Sequence, residues 1–500
     1  MRTVKTKSGA TAVQIVWSSR RGSRSIEHIG SAHDDVELEA LKAAAAQRIA
    51  AGQLELDLGL ETAGPGGPLP ITSSRMGRLL DALDCGCRVL GLDEAAGGDE
   101  VFRRLVLARI IEPASKLDSL RVLEAGVAPP SYATVKRRLP AYAEEAWRQR
   151  LSAACAGHAR LGPASLVLYD VSTLYFETDR GDGFRESGFS KERRLEPQIT
   201  IGLLADQAGF PLMVSAFEGD KAETKTMLPV IEAFMAAREL PDVTVVADAG
   251  MISDANMKAI EAAGLSFILG MKVPDVPYVV DAWRREHPGQ EIPDGRVFTQ
   301  PWPAGPKDNR RDQVIYYTYR ADRARRTLHG TGEQVAKAAK AVAGLAPVKR
   351  NRFIQLEGAV KSVNRDLEDK ARTLAGIKGY KTNLAATPDG EPVTPDFVIG
   401  SYHRLFEIEK SFRMSKSDLQ ARPVYHRKRD SIEAHLTIVF AALAVGRWIE
   451  AQTGWSIRKF VKTARRYREI EIKAGQHVIT AADPLPDDLR QAIDAISDTR

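Results

Sequence analysis

One aspartate stands inside the most strand-like run of this sequence, residues 165–177 (SLVLYDVSTLYFE), and it limits what the chain can fold into. The run is apolar, β-branched and aromatic, the composition of a buried strand. Asp170 is its one interior carboxylate. A charge in such a strand is costly unless it is paired, hydrogen-bonded or bound to a metal ion. A second short apolar run, residues 243–248 (VTVVAD), also ends on a carboxylate, Asp248, followed by Ala249 and Gly250. Two bland readings stay open here: Asp170 bonding Ser172 or Thr173, and Asp248 capping the next helix. Between and after these runs the pattern predicts strands at 198–205 (QITIGLLA) and 210–217, joined by the turn DQAG, then a connecting segment and helix over 220–240, a helix over 253–263 and a strand over 265–271. Antiparallel strands followed by a strand-helix-strand unit make an α/β fold with a mixed sheet.

A third carboxylate, Glu409, lies far downstream in residues 401–429 (SYHRLFEIEKSFRMSKSDLQARPVYHRKR). Tyr402 is seven residues before it, Arg413 four after and Lys416 seven after, offsets that fall near one stripe of a single helix. An amphipathic surface helix with ordinary salt bridges has the same spacing. Phosphoryl transfer by two divalent ions needs oxygen ligands converging from separate elements, with the ions about 3.5–4 Å apart. Asp170, Asp248 and Glu409 can supply that set. Among 65 acidic residues, the triplet by itself decides nothing.

Composition excludes several classes. A chain of 500 residues, 44% apolar and 27% charged, is a soluble globular protein of three or four structural units. A net charge of +6 is modest, so nucleic-acid binding has to come from local patches. Such patches occur at Arg20, Arg21 and Arg24, at Lys136, Arg137 and Arg138, at Arg323, Arg325 and Arg326, and at Arg465, Arg466 and Arg468. Cys85, Cys87 and Cys155 are too few for a disulfide framework and lack zinc-site spacing, which predicts buried thiols in a reducing compartment. The N-terminal residues have no signal-peptide core, and the apolar run 436–445 is expected to be a buried helix rather than a membrane span.

The remaining segments follow in order. Alternation at 11–17 and 25–29 predicts a strand pair joined by the basic turn SSRRGSR, followed by an Ala-rich helix over 37–51 and a Pro/Gly linker at 62–74. Three helices over 99–111, 115–126 and 131–139, the last carrying Lys136 and Arg137, resemble a helix-turn-helix DNA reader. Between 272 and 395 lie a Pro-flanked Trp302, a strand at 314–320, and helices expected over 332–343 and 352–375. An apolar helix over 431–448, a basic stretch at 456–468 and, from about 481, a loose tail with one short terminal helix close the chain.

Beyond these patterns, the sequence resembles the DDE transposases of bacterial insertion sequences, in the subgroup with a β-rich insertion before the Glu and a Tyr, Arg, Glu, Lys signature around it. The matching residues are YDVSTLYFE around Asp170, GDKAETKTM with VVADAGM around Asp248, Tyr402, Glu409 and Lys416 with Phe412–Arg413, then RPVYHR and IEAHLTIVFAALAV. The resemblance covers essentially the whole chain. One residue departs from it: the signature's Arg would stand at 405, which is Leu, and Arg404 points about 100° away on an ideal helix.

The resemblance implies an RNase H-like mixed-sheet catalytic core with a large insertion between the second Asp and the Glu, plus the N-terminal strand pair and a helical DNA-binding region. The implied layout is an N-terminal module 1–62, a helical DNA-binding region 75–160, a first core segment 163–271, an insertion domain 272–395, a second core segment 396–475 and a tail 476–500. It further implies that Asp170, Asp248 and Glu409 bind two Mg2+ ions, for which Mn2+ can substitute. Tyr402, Arg413, Lys416, Lys136, Arg137 and Trp302 would contact DNA, Trp302 by stacking on an extruded base. The implied substrates are the element's terminal inverted repeats and target DNA, cut and joined by a homodimer in the bacterial cytoplasm, at the nucleoid and away from membranes. A nuclease with the same core but no strand transfer, and a domesticated DNA-binding protein, are the alternatives.

Overall fold

In the computed structural model of the chain, the run around Asp170 is an interior strand of an eight-stranded mixed sheet. Described are residues 1–6, 9–18, 24–50, 69–124, 129–162, 164–178, 180–188, 196–222, 225–248, 250, 254–306, 310–347, 351–357, 360–422, 424, 426–474 and 477–498. The sheet's strands are β1 (Leu166–Tyr175), β2 (Gln198–Asp206), β3 (Pro211–Glu218), β4 (Thr244–Ala247), β5 (Ser266–Met271), β6 (Val297–Trp302), β7 (Gln313–Tyr319) and β8 (Ile377–Thr382). Their order across the sheet is β6-β7-β8-β5-β4-β1-β2-β3. Strands β1, β2 and β3 pair antiparallel, whereas β1, β4 and β5 run parallel. The first five strands therefore lie in the order 3-2-1-4-5, the RNase H-like arrangement. Helix α1 (Met227–Arg238) precedes β4, and α2 (Asp254–Ala262) makes the β4-to-β5 crossover that parallel pairing requires.

The local chemistry explains these elements. Strand β4 is buried along its whole length and β1 over its first four residues, which is why both read as continuous apolar runs rather than alternating ones. At the β2–β3 turn, Asp206 Oδ1 accepts hydrogen bonds from the Ala208 and Phe210 amides, each at 2.8 Å. Gly209 takes φ +79°, a conformation that L side chains rarely adopt.

The segment between Lys272 and Pro395 does more than decorate this core. Its strands β6, β7 and β8 extend the sheet, β8 pairing antiparallel with β5 in the register Tyr380↔Gly270. Both faces of β7 are covered, so Tyr316 and Tyr317 are both buried and the run shows little alternation. Helix α3 (Ala321–Val342) starts at Ala321 rather than at Gly332. Gly330 and Gly332 mimic a helix boundary in the sequence, but buried Ala324, Thr331, Val335, Ala338 and Ala341 carry one stripe across them. The helix expected over 352–375 is instead a hairpin, Ile354–Glu357 with Val360–Val363, followed by a helix over Arg365–Thr373. Asn364 sets that start, its side chain accepting from the Leu367 amide at 2.9 Å.

Two compact units divide the chain: Cys87–Arg109 with Ala133–Trp448, which contains the sheet, and Met1–Gly86 with Ile110–Tyr132 and Ile449–Arg500. In the latter, the expected N-terminal strand pair is a three-stranded sheet, because Arg2–Lys5 adds to Thr11–Ser18 and Arg24–Ala32. Arg20 and Arg21 of the basic turn lie outside the described residues. Of the Pro/Gly linker, 62–68 also lie outside them, while Ile71–Arg75 is a strand paired with Glu469–Ala474. The tail carries the expected terminal helix, Asp487–Ser497, but it is packed rather than loose: it buries Leu489, Ala492 and Ile496, and the Cys85 thiol reaches the Ile496 carbonyl at 3.6 Å. All three cysteines are buried. Helices Glu100–Ile111, Lys116–Glu124 and Tyr132–Ala143 form where the sequence predicts individual helices, and two further ones, Gly77–Val89 and Glu145–Ala159, lie within the region 75–160 expected to be helical.

Asn383 ties the inserted strands to the core beyond the end of β8. Its Oδ1 accepts from the Phe267 amide at 2.8 Å, and its Nδ2 donates to the Leu265 carbonyl and to Glu261 Oε1, both at 3.3 Å. Because Asn383 is only 3% exposed, Asn383→Ala takes the side-chain acceptor from the buried Phe267 amide of β5. The variant should lose about 1–3 kcal/mol of stability, read by denaturant unfolding.

Candidate active site

Parallel pairing of β1 and β4 sets the level of two carboxylates. The last paired residues are Leu168 and Val246. Two residues beyond that pair in each segment stand Asp170, still within β1, and Asp248, the first residue past the end of β4 at Ala247, so the adjacent strands bring both carboxylates to the same end of the sheet. Asp170 is half-buried and Asp248 exposed. Helix α2 begins at Asp254, and its cap lies outside the described residues; Asp248 Oδ1 instead accepts a short hydrogen bond from the Tyr402 hydroxyl.

The segment bearing Glu409 is not the single helix its spacing predicts. Helix α4 (Pro395–His403) ends at Arg404, α5 (Leu405–Arg413) follows, and Met414–Asp418 is a π-helical turn closed by the Leu419 amide on the Met414 carbonyl at 2.9 Å. Thr394 starts α4, its hydroxyl accepting from the Phe397 amide at 3.2 Å. Tyr402 stands before the break at Arg404, on a different helix from Glu409, and is 6% exposed. Its ring lies 5.0 Å from that of Tyr380, centroid to centroid, under the Lys378 ammonium at 4.3 Å. Gly270 makes the room, since a Cβ there would come within 2.6 Å of the Tyr402 ring and hydroxyl.

Glu409, Arg413 and Lys416 do stay together. With Asp170, Ser172, Thr173, Phe412 and Arg422 they line a cleft of about 420 Å³. Helix α5 is pinned over the β2–β3 turn by the Ser411 hydroxyl, which donates to the Gly209 carbonyl at 2.6 Å. Leu405, where the signature would have Arg, is buried. Arg404 lines a different cleft with Leu166 and Asp206, away from Asp170.

Electrostatics link the two halves of the site. Burial, the hydrogen bond to Asp248 and that carboxylate's charge push the Tyr402 phenol far above its ordinary range, with Tyr380 and Glu409 adding to the effect. Tyr402 thus remains a neutral donor to Asp248. Burial lowers the pKa of Lys378 against the opposing pull of Asp248, and Arg323 lowers it further. Burial also lowers His403, followed by the charges of Lys378, Arg323 and Arg320. Sequence patterns do not single out Lys378 or Tyr380. Of these cations only Arg323 stands out in the chain, as a member of a basic run, and only the pairing of β8 with β5 brings Lys378 in.

The other expected DNA contacts lie elsewhere. Lys136 and Arg137 are exposed on the helix Tyr132–Ala143, while their neighbour Arg138 is turned to Asp99 at 3.7 Å. Trp302, at the end of β6, is 45% exposed, with the Lys381 ammonium 5.8 Å from its ring centroid. None of these three expected contacts, Lys136, Arg137 and Trp302, lines the cleft of Asp170 and Glu409.

For a metal ion, the donors are carboxylate oxygens, the chemistry that suits hard divalent cations. Asp170 lies on β1, Asp248 directly follows the end of the adjacent strand β4, and Glu409 shares the cleft with Asp170. Among the described residues, no group of three or more His, Cys, Asp or Glu side chains is gathered closely enough to hold an ion. The structure therefore fits the donor set in kind and in strand register, without a closed three-carboxylate cluster.

Tyr402→Phe keeps the ring packing and removes only the donor to Asp248. It should leave the fold intact and weaken Mn2+ binding, measured by calorimetry, about 10–100-fold, the usual effect of losing a hydrogen bond that orients a ligand. Gly270→Ala should have the same effect together with a loss of thermal stability, because the added methyl displaces the Tyr402 ring.

A family model described as the transposase DDE domain matches residues 161–445. No curated protein matches the chain. Among solved structures, a cryo-EM structure of the piggyBac transposase synaptic complex with hairpin DNA is similar over 87% of this chain and 77% of that one, at 11% identity and a TM-score of 0.38. That likeness is too slight to decide fold or function. The family match, in contrast, takes in more than half of the chain, from the start of β1 through Glu409 and into the long helix after it, and so the chain belongs to the transposase DDE-domain family and is a DNA transposase, a metal-dependent polynucleotidyl transferase.

Proposed function

We propose that this transposase is of the bacterial insertion-sequence type and that Asp170, Asp248 and Glu409 are its catalytic carboxylates. The observation that carries the reading is the position of Asp170 within β1 and of Asp248 at the end of the adjacent parallel strand β4, with Glu409 on the same cleft as Asp170. Asp170 and Asp248 would be the main ligands of two Mg2+ ions, with Glu409 completing the set and Mn2+ able to substitute. When bound, the ions supply activation of the attacking oxygen and stabilisation of the leaving one. The reaction is in-line attack on phosphodiesters at the element's ends: a water oxygen first bonds to phosphorus as the bridging 3′ oxygen leaves, and the freed 3′-hydroxyl then bonds to a target phosphorus, losing its proton, as the target strand's own bridging 3′ oxygen leaves and takes up a proton.

The chain's own residues divide the remaining work. Arg413 and Lys416, on the rim shared with Glu409, hold the scissile strand through its phosphates. Tyr402 orients Asp248. The helix carrying Lys136 and Arg137 reads the terminal inverted repeats, within a helical DNA-binding region at 75–160, and Trp302 of the insertion stacks on an unpaired base. Because two ends are cut and joined together, the working form is a homodimer, acting on DNA in the bacterial cytoplasm.

Asp248→Ala should abolish Mg2+-dependent cleavage of a duplex carrying the inverted repeat that flanks the gene, while end binding stays within a few-fold of the unmodified protein in a mobility-shift assay. Normal cleavage by this variant would overturn the site assignment. Cleavage by the unmodified protein without any joining to a second duplex would restrict it to a nuclease.

A further inference from the structure

Lys378 is a cation in the site that the carboxylate reading leaves without a task. It lies on β8, opposite Thr318 of β7 and next to Gly379, which pairs with Met271 of β5. The side chain is half-buried. Its ammonium is held over two aromatic faces, 4.3 Å from the Tyr402 ring centroid and 5.5 Å from that of Tyr380. Among the described residues, no side-chain hydrogen bond or ion pair engages it. Arg323 stands near it, donating to the Gly376 carbonyl at 3.2 Å.

A partly desolvated ammonium on aromatic faces is prepared for an anion. The contact with a ring face is weaker than a charge-assisted hydrogen bond to a phosphate oxygen, so an arriving phosphate can draw the ammonium off the rings. Asp248 is the acid whose charge acts on it, but that carboxylate already accepts from Tyr402. The cations of the cleft around Asp170, namely Arg413, Lys416 and Arg422, come from α5 and the segment after it. Lys378 comes from the inserted strands and sits on the Asp248 side.

We infer that Lys378 grips a non-bridging oxygen of the phosphate under attack, so that the insertion contributes a residue to the active site itself. The inference rests on the carboxylate site proposed above. Arg413 and Lys416 then hold the DNA strand from the Glu409 side and Lys378 from the Asp248 side, and the phosphorus is fixed between Asp170 and Asp248 for in-line attack.

The test uses the full chain and the inverted-repeat duplex, with Ca2+ in place of Mg2+ so that binding is read without cleavage. Lys378→Met keeps the apolar stem over Tyr402 and removes the charge; Lys378→Arg restores a cation. The slope of log K against log salt concentration should fall by about 0.9 in Lys378→Met, the effect of one lost phosphate contact, and return in Lys378→Arg. With Mg2+, cleavage by Lys378→Met should drop about 10–100-fold, the effect of losing one hydrogen bond to a charged group. An unchanged slope in Lys378→Met, whatever its rate, overturns the inference and leaves Lys378 a packing residue of Tyr402. Should that variant fold poorly, Lys378→Gln is put through the same titration with the same criterion. Asp248→Ala separates the two claims: if it still cleaves, the carboxylate site is wrong, whereas if it is inactive and the Lys378→Met slope is unchanged, only the role of Lys378 fails.

Discussion

The parallel pairing of β1 with β4 is the constraint on which the rest of the site depends. It brings Asp170, within β1, and Asp248, the first residue past the end of β4, to neighbouring positions through the backbone ladder that precedes them, and the Tyr402 hydroxyl then holds Asp248. A one-residue slip of β4 would turn Asp248 to the other face. Strands buried on both faces resist such a slip, because it would also move Thr244, Val245 and Val246 out of their packed positions.

Around this pair the chain uses several devices to hold position. Gly270 has no side chain where Tyr402 needs space, and Tyr402 in turn holds Asp248. Gly209 and Ser411 lock α5 against the β2–β3 turn, which sets where Glu409 can reach. The long helix Arg429–Thr453 backs the arrangement. By length and composition it is the one described helix able to cross a membrane, yet 89% of its apolar window is buried inside the protein. Leu436, Val439, Phe440 and Leu443 face Leu174, Ile201 and Leu203 of the sheet there.

The inserted segment belongs to this framework as well. By adding β8 to the edge of β5 it covers a strand edge that would otherwise be open, and it carries Lys378 and Tyr380 to Tyr402. Asn383 extends the join where the ladder ends. An insertion of this kind is tied to the site by geometry, since its last strand and the strand leading from α2 share hydrogen bonds.

The sequence by itself determined the five core strands, because burial on both faces leaves long apolar runs and a carboxylate inside such a run has to be explained. It also determined that Glu409, Arg413 and Lys416 keep company, because they are close in the chain. What it could not determine was set by distant contacts. The break at Arg404 has no Gly or Pro to announce it, so Tyr402 reads as a member of the Glu409 stripe when its ring is buried beneath Lys378. Gly330 and Gly332 look like a boundary and lie inside α3, where packing outweighs their poor helix propensity. Lys378 has no motif around it at all. Only the tertiary structure decided its place, since the pairing of β8 with β5 joins residues more than a hundred positions apart, and no local pattern encodes a partner at that separation.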